Sequence, residues 1–171
     1  MSAPRVRAET FATARLDLVP LRVEDAVEMA GVLADPALYV FIGGAPSAVE
    51  ELRDRYERLV AGAPDRGVSW CNWVLRDRAE QCLVGTVQAT VGAEGCAEIA
   101  WVVGTPWQGR GFASEAARGL VGWLRSRNVR TVVAHVHPEH RASAAVARAA
   151  GLAPTGETED GETRWRAVLR P

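Results

Sequence analysis

The sequence has little cysteine, no long apolar run and no excess of charge of either sign. Three cysteines without a C-x-x-C spacing disfavour both a disulfide framework and a zinc ribbon, and they predict reduced thiols. The 20 basic and 21 acidic residues leave a net charge of -1, so nucleic acid and anionic membranes are not expected partners. The beginning, MSAPRVRAET, has no apolar signal-peptide core, and no apolar run is long enough to span a bilayer. These absences predict a cytoplasmic protein without membrane attachment.

Length and hydrophobic periodicity predict the fold class. A chain of 171 residues has room for one domain with a real core, so we expect a single domain over 1–171. Period-2 and period-3.6 patterns alternate along it. They predict strands at 14–21, 69–77, 82–91, 96–104 and 130–137, helices at 23–35, 46–63, 105–128 and 141–152, and a hairpin at 152–169. This order predicts an α+β fold with a mixed, mostly antiparallel central sheet flanked by about four helices.

The beginning of the second predicted helix has a specific signal. Ser47 and Glu50 have the S-x-x-E spacing of a capping box, in which each side chain hydrogen-bonds the backbone of the other residue. The arginines and acids that follow, from Arg53 to Arg58, are most simply a solvated helix face.

A glycine-punctuated loop, QGRGFA, lies between the strand at 96–104 and the next helix. Gly109 and Gly111 allow a close approach of the backbone to a ligand, and the first N–H groups of the helix have no partner within it. A tight turn would also explain two glycines, but the position between strand and helix favours an anion site, most naturally for a diphosphate. Ser114 stands where a dinucleotide G-x-G-x-x-G motif ends, and no G-x-x-x-x-G-K-[ST] motif occurs, so neither nucleotide fold is expected.

All three histidines fall within AHVHPEHRAS. His135 and His137 share one face of a strand, while His140 lies beyond a turn, so convergence on a metal ion is not favoured and no metal is expected. Two other interpretations stay open. The histidines are either a polar strand end in a ligand cleft, or His135 or His137 assists the removal of a proton.

The motif QGRGFA resembles the [RQ]-x-x-G-x-[GA] motif of the GNAT superfamily of acyl-CoA-dependent N-acyltransferases. The preceding AEIAWVV strand is also similar, and TARLDLVPLRVEDA, GFASEAARGL and HPEHRASAAVARAAGL resemble, in order and spacing, the RimJ/RimL-like branch named for ribosomal-protein N-terminal acetyltransferases. The resemblance implies a GNAT-like fold over nearly the whole chain. It also implies the transfer of an acetyl group from acetyl-CoA to a primary amine, either a protein N-terminus or a small molecule.

The same resemblance implies roles for individual residues. Glu98 corresponds to a general base, and Ser143 to an acid near the thioester sulfur, so these are the expected catalytic residues. His140 stands where the family has an asparagine. The residues implied to bind acetyl-CoA are Val102 and Val103 for the pantetheine arm, and Gln108, Gly109, Arg110, Gly111, Phe112, Ala113, Ser114, His140 and Ser143 for the remainder.

Three hypotheses follow. The first is an N-acetyltransferase that forms a ternary complex. It needs a general base, because an amine must be neutral before it attacks the thioester. Deprotonation at pH 7 costs about 4.6 kcal/mol for a lysine-like amine and about 1.4 kcal/mol for an α-amino group. The second is a non-catalytic acyl-CoA-binding module, motivated by His140, and the third is a zinc hydrolase. The sequence does not identify the acceptor amine, and a homodimer is a further expectation.

Overall fold

Eight strands and four helices alternate along the part of the chain that this computed structural model describes, residues 5–171. The strands are β1 (Phe11–Ala12), β2 (Leu16–Pro20), β3 (Val68–Asp77), β4 (Cys82–Gly92), β5 (Cys96–Val103), β6 (Thr131–Val136), β7 (Ala153–Glu159) and β8 (Glu162–Val168). The helices are α1 (Ala26–Val32), α2 (Val49–Ala61), α3 (Phe112–Ser126) and α4 (Arg141–Ala149). The expected α+β class is confirmed, and the elements follow the predicted order, except that the two-residue strand β1 was not predicted.

All eight strands form one sheet, in the order β1-β2-β3-β4-β5-β6-β8-β7. Every neighbouring pair is antiparallel except β5 and β6, which α3 joins in a parallel crossover. This parallel pair is short, since it runs only from Cys96 opposite Thr131 to Glu98 opposite Val133. Beyond Glu98 the two strands separate, and the sheet opens into a cleft between them.

The sheet divides two hydrophobic cores because successive side chains of a strand point to opposite faces. On one face α3 and α4 cover the larger core, in which Trp73, Leu120 and Leu124 are fully buried. On the other face α1 and α2 cover a smaller core around Met29 and Leu52. Both cores contact the antiparallel strands of the sheet.

The beginning of α2 differs from its prediction. The helix begins at Val49 with Ala48 as its N-cap, and no side chain caps it. Ser47 therefore lies outside the helix, where its hydroxyl accepts a hydrogen bond from Arg55 at 3.2 Å. Glu50 falls at the second helical position and pairs with Arg53 at 2.8 Å. The predicted capping box is wrong, because the helix starts one residue later than the box requires and both residues fall out of its register.

Within residues 5–171, none of the helices combines the length and apolar character that crossing a bilayer requires.

Candidate active site

The cleft between β5 and β6 exposes backbone groups of β5. The N–H of Gly104 donates to the carbonyl of Val84 at 2.8 Å, which places this pair in the hydrogen-bonding register of β4 and β5. Alternate residues of an antiparallel strand turn their backbone groups to opposite sides, so Val103 and Trp101 direct theirs away from β4 and toward the cleft. The carbonyl of Val103 accepts a hydrogen bond from the Gln108 side chain at 3.0 Å. The Val103 N–H is left facing the cleft.

The loop before α3 forms one end of the same cleft. Gly109 and Gly111 have φ angles of 77° and 80°, a left-handed backbone conformation that residues other than glycine rarely adopt. Gly111 is the N-cap of α3, and the first intrahelical bond runs from Glu115 N–H to Gly111 C=O at 3.0 Å. The earlier N–H groups of the helix, from Phe112 to Ser114, therefore have no intrahelical partner. They form a site suited to an anion.

The beginning of α4 forms the opposite wall. The Nε2 atom of His140 lies 3.4 Å from the Ser143 hydroxyl, and its ring stacks on Phe41 with centroids 4.5 Å apart. Partial burial, and secondly the neighbouring His137, lower the pKa of His140 from its ordinary value. The ring is therefore neutral at pH 7 and can share a hydrogen bond with Ser143 in either direction.

These three walls enclose a cavity of about 680 Å³, which we call the cleft cavity. Most of the residues predicted to bind acetyl-CoA line it, although the sequence places them in three separate segments. The lining members are Val102, Val103, Gln108, Gly109, Gly111, Phe112, Ala113, Ser114, His140 and Ser143. Phe41, from the turn after α1, also lines it.

Arg110 and Glu98 do not line the cleft cavity. The Arg110 guanidinium points away and pairs with Glu80 at 3.0 Å. Its carbonyl instead accepts a hydrogen bond from Arg15 at 2.8 Å, and the Arg15 guanidinium lies 4.4 Å from the centre of the Phe112 ring. Arg15, which the sequence did not single out, thus holds the glycine loop against β2.

Glu115 secures Arg15 in this position. Its carboxylate accepts hydrogen bonds from the Thr13 hydroxyl at 2.5 Å, and from the Arg15 N–H and Nε at 2.9 and 2.8 Å. Partial burial raises the pKa of Glu115, but the bonds from Thr13 and Arg15 outweigh that effect, and the pKa is lower than its ordinary value. The helix dipole alone would have explained an acid here, whereas the structure shows a tie between α3 and the segment before β2.

The lowered pKa of Glu115 predicts a pH-dependent contribution to stability. A carboxyl whose folded pKa lies below its unfolded value stabilises the fold above the unfolded pKa and loses that effect as pH falls through the folded pKa. We expect Glu115→Gln to lower the free energy of unfolding by about 1 to 2 kcal/mol at pH 7. The difference from the parent protein should shrink below about pH 4.5. Urea unfolding at several pH values measures it, with the exposed Glu57→Gln as control, and a pH-independent difference would refute the role of the charge.

Glu98 lies at the point where β5 and β6 separate, on the sheet face opposite the larger core. Its side chain is 57% exposed, and its Oε1 lies 3.0 Å from Nδ1 of His135. The Nε2 atom of His135 lies 2.9 Å from a carboxylate oxygen of Glu159, although the angle is not that of a hydrogen bond. Val102 is on the same face of β5, four residues away, which is about 13 Å along a strand. Glu98 is therefore too far from Val102 to contact a group beside it directly.

The three histidines do not converge. His135 lies between Glu98 and Glu159, whereas His137 and His140 contact Phe41, with ring centroids 5.0 and 4.5 Å away. In the part of the chain that the structure describes, no group of three or more histidine, cysteine, aspartate or glutamate side chains is arranged to hold a metal ion.

A second, smaller cavity of about 160 Å³, the inner cavity, lies between α2, the turn after α1 and the sheet. It shares Leu38, Ile42 and Val102 with the cleft cavity, so the two cavities adjoin at the end of β5. Arg55 and Tyr56 of α2 line it. The sequence pattern placed Arg55 on a solvated helix face, and Tyr56 fits the apolar stripe of the same helix. Neither position indicated a cavity, because the cavity forms only when the turn after α1 folds over α2.

Comparisons with known proteins agree with this geometry. Residues 15–153 match a family model described as an acetyltransferase (GNAT) domain. An acetyltransferase of the GNAT family from Bacillus anthracis superposes with a TM-score of 0.78 at 19% identity, covering 94% of this chain and 98% of that one. RimL, a ribosomal L7/L12 α-N-protein acetyltransferase in complex with coenzyme A, gives 0.78 at 18% identity over 94% and 98%. An acetyltransferase from Agrobacterium tumefaciens gives 0.74 at 25% identity over 99% of both chains. Among proteins with curated descriptions, none matches the sequence significantly.

Proposed function

The chain belongs to the GNAT acetyltransferase family, and we propose that it moves an acetyl group from acetyl-CoA to a primary amine by direct attack in a ternary complex. The observation that carries this proposal is the cleft cavity, in which a left-handed glycine loop at a helix N-terminus meets the free backbone of a separated strand. An anion site and an extended hydrogen-bonding edge, side by side, suit the pyrophosphate and the amide-containing pantetheine arm of acetyl-CoA.

The residues present fit that co-substrate. The N–H groups from Phe112 to Ser114, together with Gly109 and Gly111, would hold the pyrophosphate. Val102 and Val103 would receive the pantetheine arm along the edge of β5. Arg110 would contribute its backbone to the loop rather than its guanidinium, since the latter pairs with Glu80. Acetyl-CoA supplies an activated thioester, and the protein supplies its orientation.

The chemical step needs a general base, a hydrogen-bond donor for the developing oxyanion and a group that stabilises the departing thiolate. The amine nitrogen attacks the carbonyl carbon and loses a proton, while the C–S bond breaks and its electrons remain on sulfur. We assign proton acceptance to Glu98 through water, and stabilisation of the carbonyl oxygen to the Val103 N–H. Ser143, on the wall opposite β5, would protonate or hydrogen-bond the departing sulfur.

Ser143→Ala tests the last assignment. We expect kcat to fall about tenfold at an unchanged KM for acetyl-CoA, because a general acid contributes less when the leaving thiol already has a moderate pKa near 8.5. Steady-state kinetics measure the effect. Ser126→Ala is the matched control, since Ser126 lies at the far end of α3 and its hydroxyl donates only to the Trp123 carbonyl at 2.5 Å. Unchanged kcat in Ser143→Ala would exclude a role for this hydroxyl.

The function itself is tested by mass spectrometry of acetyl transfer with acetyl-CoA and a mixed panel of peptides, amino acids, polyamines and aminoglycosides, alongside calorimetric titration of acetyl-CoA. An acetylated product establishes the enzyme. Bound acetyl-CoA without any product favours a non-catalytic acyl-CoA-binding module, the alternative suggested by His140 in place of the family asparagine, and His140→Asn would then be the first variant to assay. The single domain over 1–171, the cytoplasmic location and the homodimer remain predictions.

A further inference from the structure

The inner cavity has the position and composition of an acceptor site for the proposed acetyl transfer. It adjoins the cleft cavity at Val102, the residue beside the proposed oxyanion donor. Its walls are mostly aliphatic, from Leu21, Leu33, Leu38, Ile42, Leu52 and Leu59. The volume of about 160 Å³ suits a small ligand, such as a free amino acid with a medium-sized apolar side chain. It does not suit a long chain or a sugar ring system.

Two polar groups of α2 in this wall have no carboxylate partner. Tyr56 is 96% buried, and its hydroxyl has no hydrogen-bond partner among the described residues. Burial, and secondly the charge of Asp25, raise the pKa of Tyr56 to about 12, so the phenol keeps its proton and can donate it. Arg55 is exposed and donates to the Ser47 hydroxyl, and within residues 5–171 it forms no ion pair.

The charged side chains that line the two cavities are all basic, Arg55 in the inner cavity and Arg141 in the cleft cavity, although the charge of Asp25 acts on Tyr56 from behind the wall. No aspartate or glutamate lines the inner cavity or the cleft cavity, whereas Arg55 brings a guanidinium to the inner one. A polyamine carries several ammonium groups and would find no carboxylate here to replace its hydration. A buried hydroxyl and a guanidinium both donate hydrogen bonds, so the missing group is an anionic acceptor of hydrogen bonds.

We propose that the acceptor is an amino acid with an apolar side chain, whose carboxylate is bound by Arg55 and Tyr56 and whose amine faces Val102. This inference rests on the proposed acetyl transfer and specifies its substrate class. The aliphatic wall receives the side chain, and the open contact with the cleft cavity brings the amine to the thioester. Arg55 selects for the carboxylate because a guanidinium recognises it in a two-point geometry.

The test compares apolar amines that carry a free carboxylate with similar amines that lack one. We expect kcat/KM for leucine and methionine to exceed that for leucinamide and isoamylamine by about tenfold or more, and spermidine to be a poor acceptor. Arg55→Gln should abolish the preference for leucine over leucinamide, mainly through KM for leucine, and Tyr56→Phe should weaken it while keeping the ring. Arg58→Gln is the matched control, since Arg58 is exposed on α2 and lines neither cavity.

The outcomes separate this inference from the function on which it rests. Acetylation of amines with no preference for the carboxylate, or a preference that survives Arg55→Gln, overturns the inference and leaves the acetyltransferase intact. The same holds if peptide N-termini or polyamines are acetylated and apolar amino acids are not. If the parent protein neither bound acetyl-CoA nor acetylated any amine, the proposed function would be overturned instead. Equal loss of leucine and leucinamide turnover in Arg55→Gln, with normal thermal unfolding, also counts against carboxylate recognition.

Discussion

Glu98→Gln is expected to lower kcat/KM for the acceptor about 100-fold at pH 7, because a general base contributes about two orders of magnitude or more to such a step. The glutamine side chain keeps the size of Glu98 and can still hydrogen-bond His135, which lies 3.0 Å from the present carboxylate. What it cannot do is accept the proton that the amine loses. The measurement is a pH profile of kcat/KM for parent and variant.

The pH profile distinguishes a base from a structural carboxylate. An acceptor amine with a pKa between about 8 and 10 deprotonates unaided in alkaline buffer. The deficit of Glu98→Gln should therefore be largest near neutral pH and shrink as pH rises. Glu94→Gln is the matched control, since Glu94 is exposed in the turn between β4 and β5 and undergoes the same chemical change. A deficit of equal size at every pH would indicate a role in structure or binding, and no deficit would remove Glu98 from the mechanism.

Gly85→Ala is expected to damage both the fold and the cleft. An added Cβ at Gly85 would lie 2.2 Å from the carbonyl oxygen of Val102 and 3.0 Å from Cα of Val103. These are backbone atoms, which cannot rotate away, so the end of β5 must move. Overpacking of this kind costs about 1 to 3 kcal/mol of stability. The displaced residues are those proposed to bind the pantetheine arm, so we also expect the dissociation constant of acetyl-CoA to rise about tenfold or more.

Thermal unfolding and calorimetric titration of acetyl-CoA measure the two effects of Gly85→Ala. Gly122→Ala is the control with the opposite expected sign. Gly122 lies in α3, and an added Cβ meets nothing within 4 Å there. Alanine in a helix interior is favoured over glycine by up to about 1 kcal/mol. If Gly85→Ala left both stability and affinity unchanged, β4 and β5 could not approach as closely as the structure has them.

The strand position of Glu98 was predicted correctly, but its position alone does not establish its chemical role. The sequence placed Glu98 on a strand before the glycine loop, and the structure has it on β5, at the point where β5 and β6 separate. Neither its partner His135 nor its 57% exposure could be predicted, because the contact depends on how β5 and β6 pair. The role in proton transfer therefore stays a prediction.

By itself the sequence determined most of the elements, their order and the position of the glycine loop between β5 and α3. Alternation and helical periodicity depend on neighbours a few residues apart, and local sterics and burial suffice to specify them. The same local rules erred at Ser47, where a capping motif was present but the helix begins at Val49. There the Ser47 hydroxyl instead accepts a hydrogen bond from Arg55, eight residues later in the chain.

Only the tertiary structure decided how the segments meet. The strand order places β6 beside β5 for three residue pairs and then lets the strands part, which creates the cleft cavity. The turn after α1 lies over α2, so that the exposed Arg55 and the buried Tyr56 line one cavity together with Val102. Such neighbours are distant in sequence, and their contact depends on the packing of whole helices against the sheet. No pattern within a window of the chain encodes that packing, so a solvated arginine and an acceptor-binding arginine look alike until the chain is folded.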